Sequence, residues 1–191
     1  MPEESRSLVA SVKNSIVSAV KGAGEITNAV VDTVSGSLVN AIKRTGETGA
    51  ALTVAISEVV RGTVLGVAEI GADVGSAAKG TVIGVLRGTK EVGGAALDAV
   101  STTAAAVVKS TAEVGGDLGS AAKGAVEGAI AGAKDLGLSV EKAASVAAAG
   151  ALKAAGEMGS AAAAQVRDAV TGTIAGVKVV LKEPFRSEKK K

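Results

Sequence analysis

The chain has 191 residues, 47% of them apolar, a net charge of +2 and 26 glycines; Cys, His, Trp and Tyr are absent, and Phe185 is the only aromatic. This composition excludes disulfides and thiol chemistry, removes the usual zinc, copper and haem ligands, and leaves no imidazole as a general base near neutral pH. A mean hydropathy of +0.39 is too apolar for a disordered chain, and the lack of stacking aromatics and of a basic excess argues against a nucleic-acid module.

The N-terminal stretch MPEESRSLVASVKN starts with acids and lacks an apolar h-region, so no secretory signal is expected. From residue 2 to residue 177 the chain reads as eight 22-residue blocks. An acid recurs once per block, at Glu3, Glu25, Glu47, Glu69, Glu91, Glu113, Asp135 and Glu157. Segments 68–89 (AEIGADVGSAAKGTVIGVLRGT) and 112–133 (AEVGGDLGSAAKGAVEGAIAGA) match at 13 of 22 positions, two blocks apart. Residues 178–191 form a short basic tail that ends at Lys189, Lys190 and Lys191.

Aligned by block, the nineteenth column is always aliphatic: Val20, Ile42, Val64, Leu86, Val108, Ile130, Leu152 and Ile174. The fifteenth holds Ile16, Leu38, Val60, Val82, Ala104, Val126, Ala148 and Val170. Apolar columns are spaced by four and then three, which is the spacing of a helix and not of a strand. The repeat belongs to the 11-residue class, nearly straight or slightly right-handed. Apolar residues fill one arc of this helix and charges the opposite arc. A flank of small residues lies between them, with Gly62, Gly84, Gly128, Gly150 and Gly172 in its seventeenth column, expected to allow close packing of helices. The fourth column is Gly49, Gly71, Gly93, Gly115, Gly137 and Gly159, placed by this reading as notches in the apolar arc. Base–acid pairs four apart (Lys21–Glu25, Lys43–Glu47, Arg87–Glu91, Lys109–Glu113 and Lys153–Glu157) predict weak ion pairs along a helix.

Pro2 and Pro184 bracket the periodic region. The sequence therefore predicts an all-α protein, either one long amphipathic helix or helical hairpins turning at clusters such as Gly93-Gly94 and Gly115-Gly116. A lone helix of this kind is unstable, because each interior glycine costs about 0.8–1.0 kcal/mol relative to alanine. The apolar arc must be covered by lipid or by another helix.

Stretches such as RGTKEVGG (87–94), KSTAEVGG (109–116) and AGAKDLGL (131–138) resemble the Lys-Thr-Lys-Glu-Gly-Val repeats of synucleins. The period over 2–177 is also similar to that of perilipins, exchangeable apolipoproteins and group 3 late-embryogenesis-abundant proteins. The resemblance is one of pattern, and it implies a protein that gains helix on lipid surfaces, in droplets or on drying. Departures are the absence of punctuating prolines, the high apolar content and the basic tail.

Enzymatic motifs are lacking. No Gly-Lys pair exists for a Walker loop, the glycines follow a helical repeat rather than a strand, and the serines have no base to activate them. No catalytic, cofactor-binding or metal-binding residue is expected. The sequence points to a non-enzymatic protein that binds, coats or shapes lipid surfaces by lateral self-assembly, its nineteenth column facing lipid or a partner and Lys189, Lys190 and Lys191 touching headgroups. The alternatives are a lipid-independent helical filament or a stress protectant. The expected partners are a membrane surface and further copies of the chain, without nucleic acid or a small-molecule substrate. The expected location is cytoplasmic and peripheral, because charge-free stretches reach only about ten residues where a span needs about 20.

Overall fold

The computed structural model describes residues 3–22, 25–45 and 49–181. These form eight helices: α1 (Glu3–Gly22), α2 (Ile26–Thr45), α3 (Ala50–Glu69), α4 (Val74–Glu91), α5 (Ala96–Glu113), α6 (Leu118–Leu136), α7 (Val140–Met158) and α8 (Ser160–Val170). Strands β1 (Gly172–Ile174) and β2 (Val177–Val179) follow as an antiparallel pair. The protein is thus all-helical apart from this pair, and it is not one continuous rod.

The breaks are made by the fourth-column glycines. Gly71, Gly93, Gly115 and Gly137 have φ of +64°, +73°, +68° and +67°, a left-handed conformation that an L side chain disfavours. They are turn residues, not notches in an apolar face. In each case the next residue's N–H reaches back to a carbonyl five residues earlier, as in Gly94 N–H to Thr89 O at 2.8 Å and Leu138 N–H to Ala133 O at 2.8 Å. This bond and the positive φ define the Schellman stop, which satisfies carbonyls that the helix end would orphan. Two residues after Gly71, Gly115 and Gly137 a side chain caps the next helix, whereas Ala95, two after Gly93, makes no such cap. Asp73 accepts from the Ser76 N–H, Asp117 from the Ser120 N–H and Ser139 from the Lys142 N–H.

Because the chain reverses at each turn, helices two apart run parallel and lie side by side. One layer holds α1, α3, α5 and α7; the other holds α2, α4, α6 and α8. Glycines set the spacing within a layer. A Cβ on Gly62 would lie 2.7 Å from the Val9 carbonyl oxygen, and one on Gly84 would lie 2.8 Å from that of Val31. Gly80, Gly84 and Gly88 of α4 meet Thr27, Val31 and Leu38 of α2 in ascending order, which fixes the parallel register. Gly124, Gly128 and Gly132 of α6 repeat the pattern against Gly75, Lys79 and Leu86 of α4. The similar segments 68–89 and 112–133 therefore supply most of these neighbouring helices.

The core lies between the layers. All eight fifteenth-column residues, from Ile16 to Val170, have 0% exposure. Toward the C-terminal end the core narrows to alanine, with Ala143, Ala144, Ala147, Ala148, Ala151, Ala154 and Ala155 buried along α7. The strand pair turns through Ala175 and Gly176, both at positive φ, and buries Ile174 and Val179 against the end of the stack.

Two identical substitutions separate intrinsic propensity from packing. Gly36→Ala in α2 adds a Cβ with nothing within 4 Å, and should stabilise by about 1 kcal/mol. Gly84→Ala drives the same Cβ into backbone, and should destabilise by about 1–3 kcal/mol. Urea midpoints of the two variants should move in opposite directions.

Candidate interaction surfaces

Three surfaces bear on function: the apolar columns, the small-residue flank and the charged faces. In the nineteenth column Ile42, Val64, Leu86, Val108, Ile130 and Ile174 are buried. Val20 and Leu152 are partly buried and pack against the same cores. The covering surface in each case is the chain's own helices. In the small flank Gly62, Gly84, Gly128 and Gly150 sit where a Cβ would strike the preceding helix of the layer. Gly172 does not: it lies in β1 at φ +93° with open space around it, because helix α8 ends at Val170. Lys189, Lys190 and Lys191, together with Phe185, lie outside the described residues.

Polar residues replace glycine where the layers end. Ser18 and Asn40 occupy the seventeenth column in α1 and α2, which have no preceding helix in their layers, and both are exposed. A hydrophilic outer edge is what the terminal unit of a stacked array requires.

The ion pairs differ from the expected ones. They join helices two apart rather than residues four apart. Lys13 Nζ is 2.6 Å from Glu69 Oε2, Arg61 Nε 3.0 Å from Glu113 Oε2, and Lys109 Nζ 2.7 Å from Glu157 Oε2, which links α1, α3, α5 and α7. In the other layer Lys43 Nζ is 3.2 Å from Glu91 Oε1, and Arg87 Nη2 is 3.4 Å from Asp135 Oδ2. Arg87 and Lys109 thus pair with Asp135 and Glu157, while Glu91 and Glu113 pair with Lys43 and Arg61. Glu25 accepts instead from Asn28 Nδ2 at 2.9 Å, and Glu47 lies outside the described residues. The physical cause is the glycine turn. It leaves Glu69, Glu91 and Glu113 as the last residues of their helices, where the dipole disfavours an acid. A base from the adjacent parallel helix offsets that. Sequence spacing could not reveal pairs 48 to 56 residues apart.

The Lys13 hydrogen bond holds the Glu69 carboxyl below its ordinary range, and the Lys109 hydrogen bond does the same for Glu157. The Ser76 side chain and N–H lower Asp73, and the Ser120 N–H and side chain lower Asp117. Among the described residues no group of acids could hold a metal ion. Buried Thr63, Thr81 and Thr103 donate to carbonyls four residues back, whereas the buried hydroxyls of Thr89 and Thr111 have no partner.

Two shallow depressions mark the surface. One, of about 320 Å³, lies between the N-terminal ends of α3 and α5. The other, of about 280 Å³, lies over the first turns of α4 and α6 between Lys79 and Lys123. The helix ends in the second are already capped by Asp73 and Asp117. Helix α3 is the most apolar of the described helices. An 18-residue window of it reaches a mean hydropathy of 1.5, so by length and composition alone it is long and apolar enough to cross a membrane, and 56% of that window is buried inside the fold, as in a core helix.

The lowered carboxyls set a pH dependence. Their folded values lie below the unfolded ones, so the stability they confer is present above about pH 4 and lost as pH falls through the folded values. The urea midpoint should hold steady from about pH 7 to 5 and decline below about pH 4. Asp73→Ala with Asp117→Ala should cost about 1 kcal/mol per cap at neutral pH and make the acid decline shallower. A midpoint flat to about pH 2 in the parent protein would contradict this.

No family model matches the chain, and no curated protein matches its sequence.

Proposed function

We propose that the protein is a non-enzymatic helical scaffold in which each 22-residue block supplies one helix and one glycine turn. Successive blocks form helical hairpins and cover one another's apolar faces. A single observation carries this reading: the fifteenth column is fully buried in all eight blocks by the chain itself. The partner surface that the amphipathic pattern demands is then already present, and the fold needs no lipid to form. What remains for other molecules is the charged outer faces of the two layers. The polar edge at Ser18 and Asn40 offers end-to-end growth no apolar surface, so assembly between copies would run through the faces.

A second reading keeps the lipid-surface function. On it the stack opens and lays the same apolar columns on a membrane, peripherally and on the cytoplasmic side. Two observations favour it. Helix α3 is apolar enough for a bilayer and leaves Val54 55% exposed. The interhelical ion pairs are solvent-exposed and therefore hold the layers only weakly.

Far-UV circular dichroism with and without small anionic vesicles distinguishes the two, with sedimentation alongside. The scaffold should be helical in buffer, unchanged by vesicles and sediment as a small particle. A coil spectrum that turns helical on vesicles would replace it with the lipid reading. A helical spectrum with a large sedimentation coefficient would put self-assembly first.

A further inference from the structure

The parallel seams of the stack do not share one register. In α1–α3 and α2–α4 each glycine faces a residue 53 positions earlier: Gly62 on Val9, Gly66 on Lys13, Gly80 on Thr27, Gly84 on Val31 and Gly88 on Ser35. In α4–α6 and α5–α7 the separation is 49: Gly124 on Gly75, Gly128 on Lys79, Gly132 on Ile83 and Gly150 on Ser101. The two registers differ by four residues, about one helical turn. Within each half of the stack the two layers have the same register, as layers tied by short turns must.

The first half is also built for the second register. A step of four residues brings Gly80 to the place of Gly84 and Gly84 to that of Gly88 against α2, and Gly62 to the place of Gly66 against α1. Glu58 then comes opposite Val9, where the α5–α7 seam already seats a side chain, Val146 opposite Leu97. The ion pairs follow the same step. Where the register is 49, base and acid lie 48 apart, as in Arg87–Asp135 and Lys109–Glu157. Lys43 and Glu91 are also 48 apart although their seam stands at 53, so Lys43 sits more than a turn beyond the level of its acid. The residue 48 before Glu69 is Lys21, yet Glu69 bonds Lys13, 56 before it. Lys21 is exposed and near enough to add to Lys13 in lowering the Glu69 carboxyl. Glu69 thus has one base placed for each register.

We propose that helices α1 to α4 form a two-position ratchet, in which the α1–α3 and α2–α4 seams step together by one helical turn and Glu69 passes from Lys13 to Lys21. One-turn steps of one packed element past another are an established form of switching. Glycine notches at four-residue intervals offer the backbone equivalent seats, and exchanging one exposed ion pair for another changes the energy little. Helix α5 carries Thr102 and Ala106 where α4 has Gly80 and Gly84. It lacks such seats and bounds the ratchet. This device goes beyond the scaffold reading and rests on the folded stack that reading describes.

Distance measurement between spin labels on Asn28→Cys in α2 and Lys90→Cys in α4 tests it, since both sites are exposed and the chain has no other cysteine. Two distances about 4–6 Å apart are expected, from four residues at about 1.5 Å each. Lys13→Gln should enlarge the population at the longer distance, and Lys21→Gln the one at the shorter. Both substitutions lie in α1, in the opposite layer from the labels, so a response also shows that the seams move together. A single distance that neither substitution moves, two populations that neither redistributes, or a change in the reverse sense would each overturn the ratchet. Circular dichroism of the labelled samples separates the failures: loss of helix overturns the scaffold reading with it, whereas a helical protein with a fixed distance overturns the ratchet alone.

Discussion

Backbone-to-backbone contact between parallel helices is the constraint on which the rest of this structure depends. A helix packed through ordinary side chains keeps its neighbour about 8–10 Å away. Here Gly62, Gly80, Gly84 and Gly150 leave room for the carbonyls of Val9, Thr27, Val31 and Ser101. The glycines that should weaken each helix in isolation are the residues that let the layers close. Their intrinsic cost is met by apolar burial, and burial is possible with valine and alanine because the backbones come so near.

From that contact the other features follow. Parallel neighbours place the acidic end of one helix beside a base on the previous one, which produces the pairs Lys43–Glu91, Arg87–Asp135 and Lys109–Glu157. These exposed pairs contribute little energy, but each neutralises an acid at an unfavourable helix end. The exception proves informative in the same terms. Helix α5 has no glycine, and the stack opens at its seam with α3.

The closed stack also bears on how the amphipathic pattern should be interpreted. Apolar columns at helical spacing say that a face must be covered, not by what. Synuclein-like and perilipin-like repeats suggest lipid as the cover; here the chain's other helices cover Leu86, Val108 and Ile130. The difference lies in the fourth-column glycines. At a period of 22 they fit a continuous helix as well as they fit a helix plus a turn, and the capping residues Asp73, Asp117 and Ser139 two positions later are the local signal that favours the turn.

The sequence by itself determined the helical class and the once-per-block recurrence of acid and glycine, because these depend on periodicity along one chain. The apolar columns, the fifteenth and the nineteenth among them, could be read without coordinates, but not that the fifteenth lies innermost. Only the tertiary structure decided where the helices end, since a positive φ at Gly93 or Gly115 is a consequence of the chain's return onto its neighbour. It alone decided which acid meets which base, because partners 48 residues apart are brought together by layering and not by spacing. It alone placed Gly172 in a strand, and it alone opened the depression between α3 and α5, which reflects how closely one helix can approach another, a distance that no single helix encodes.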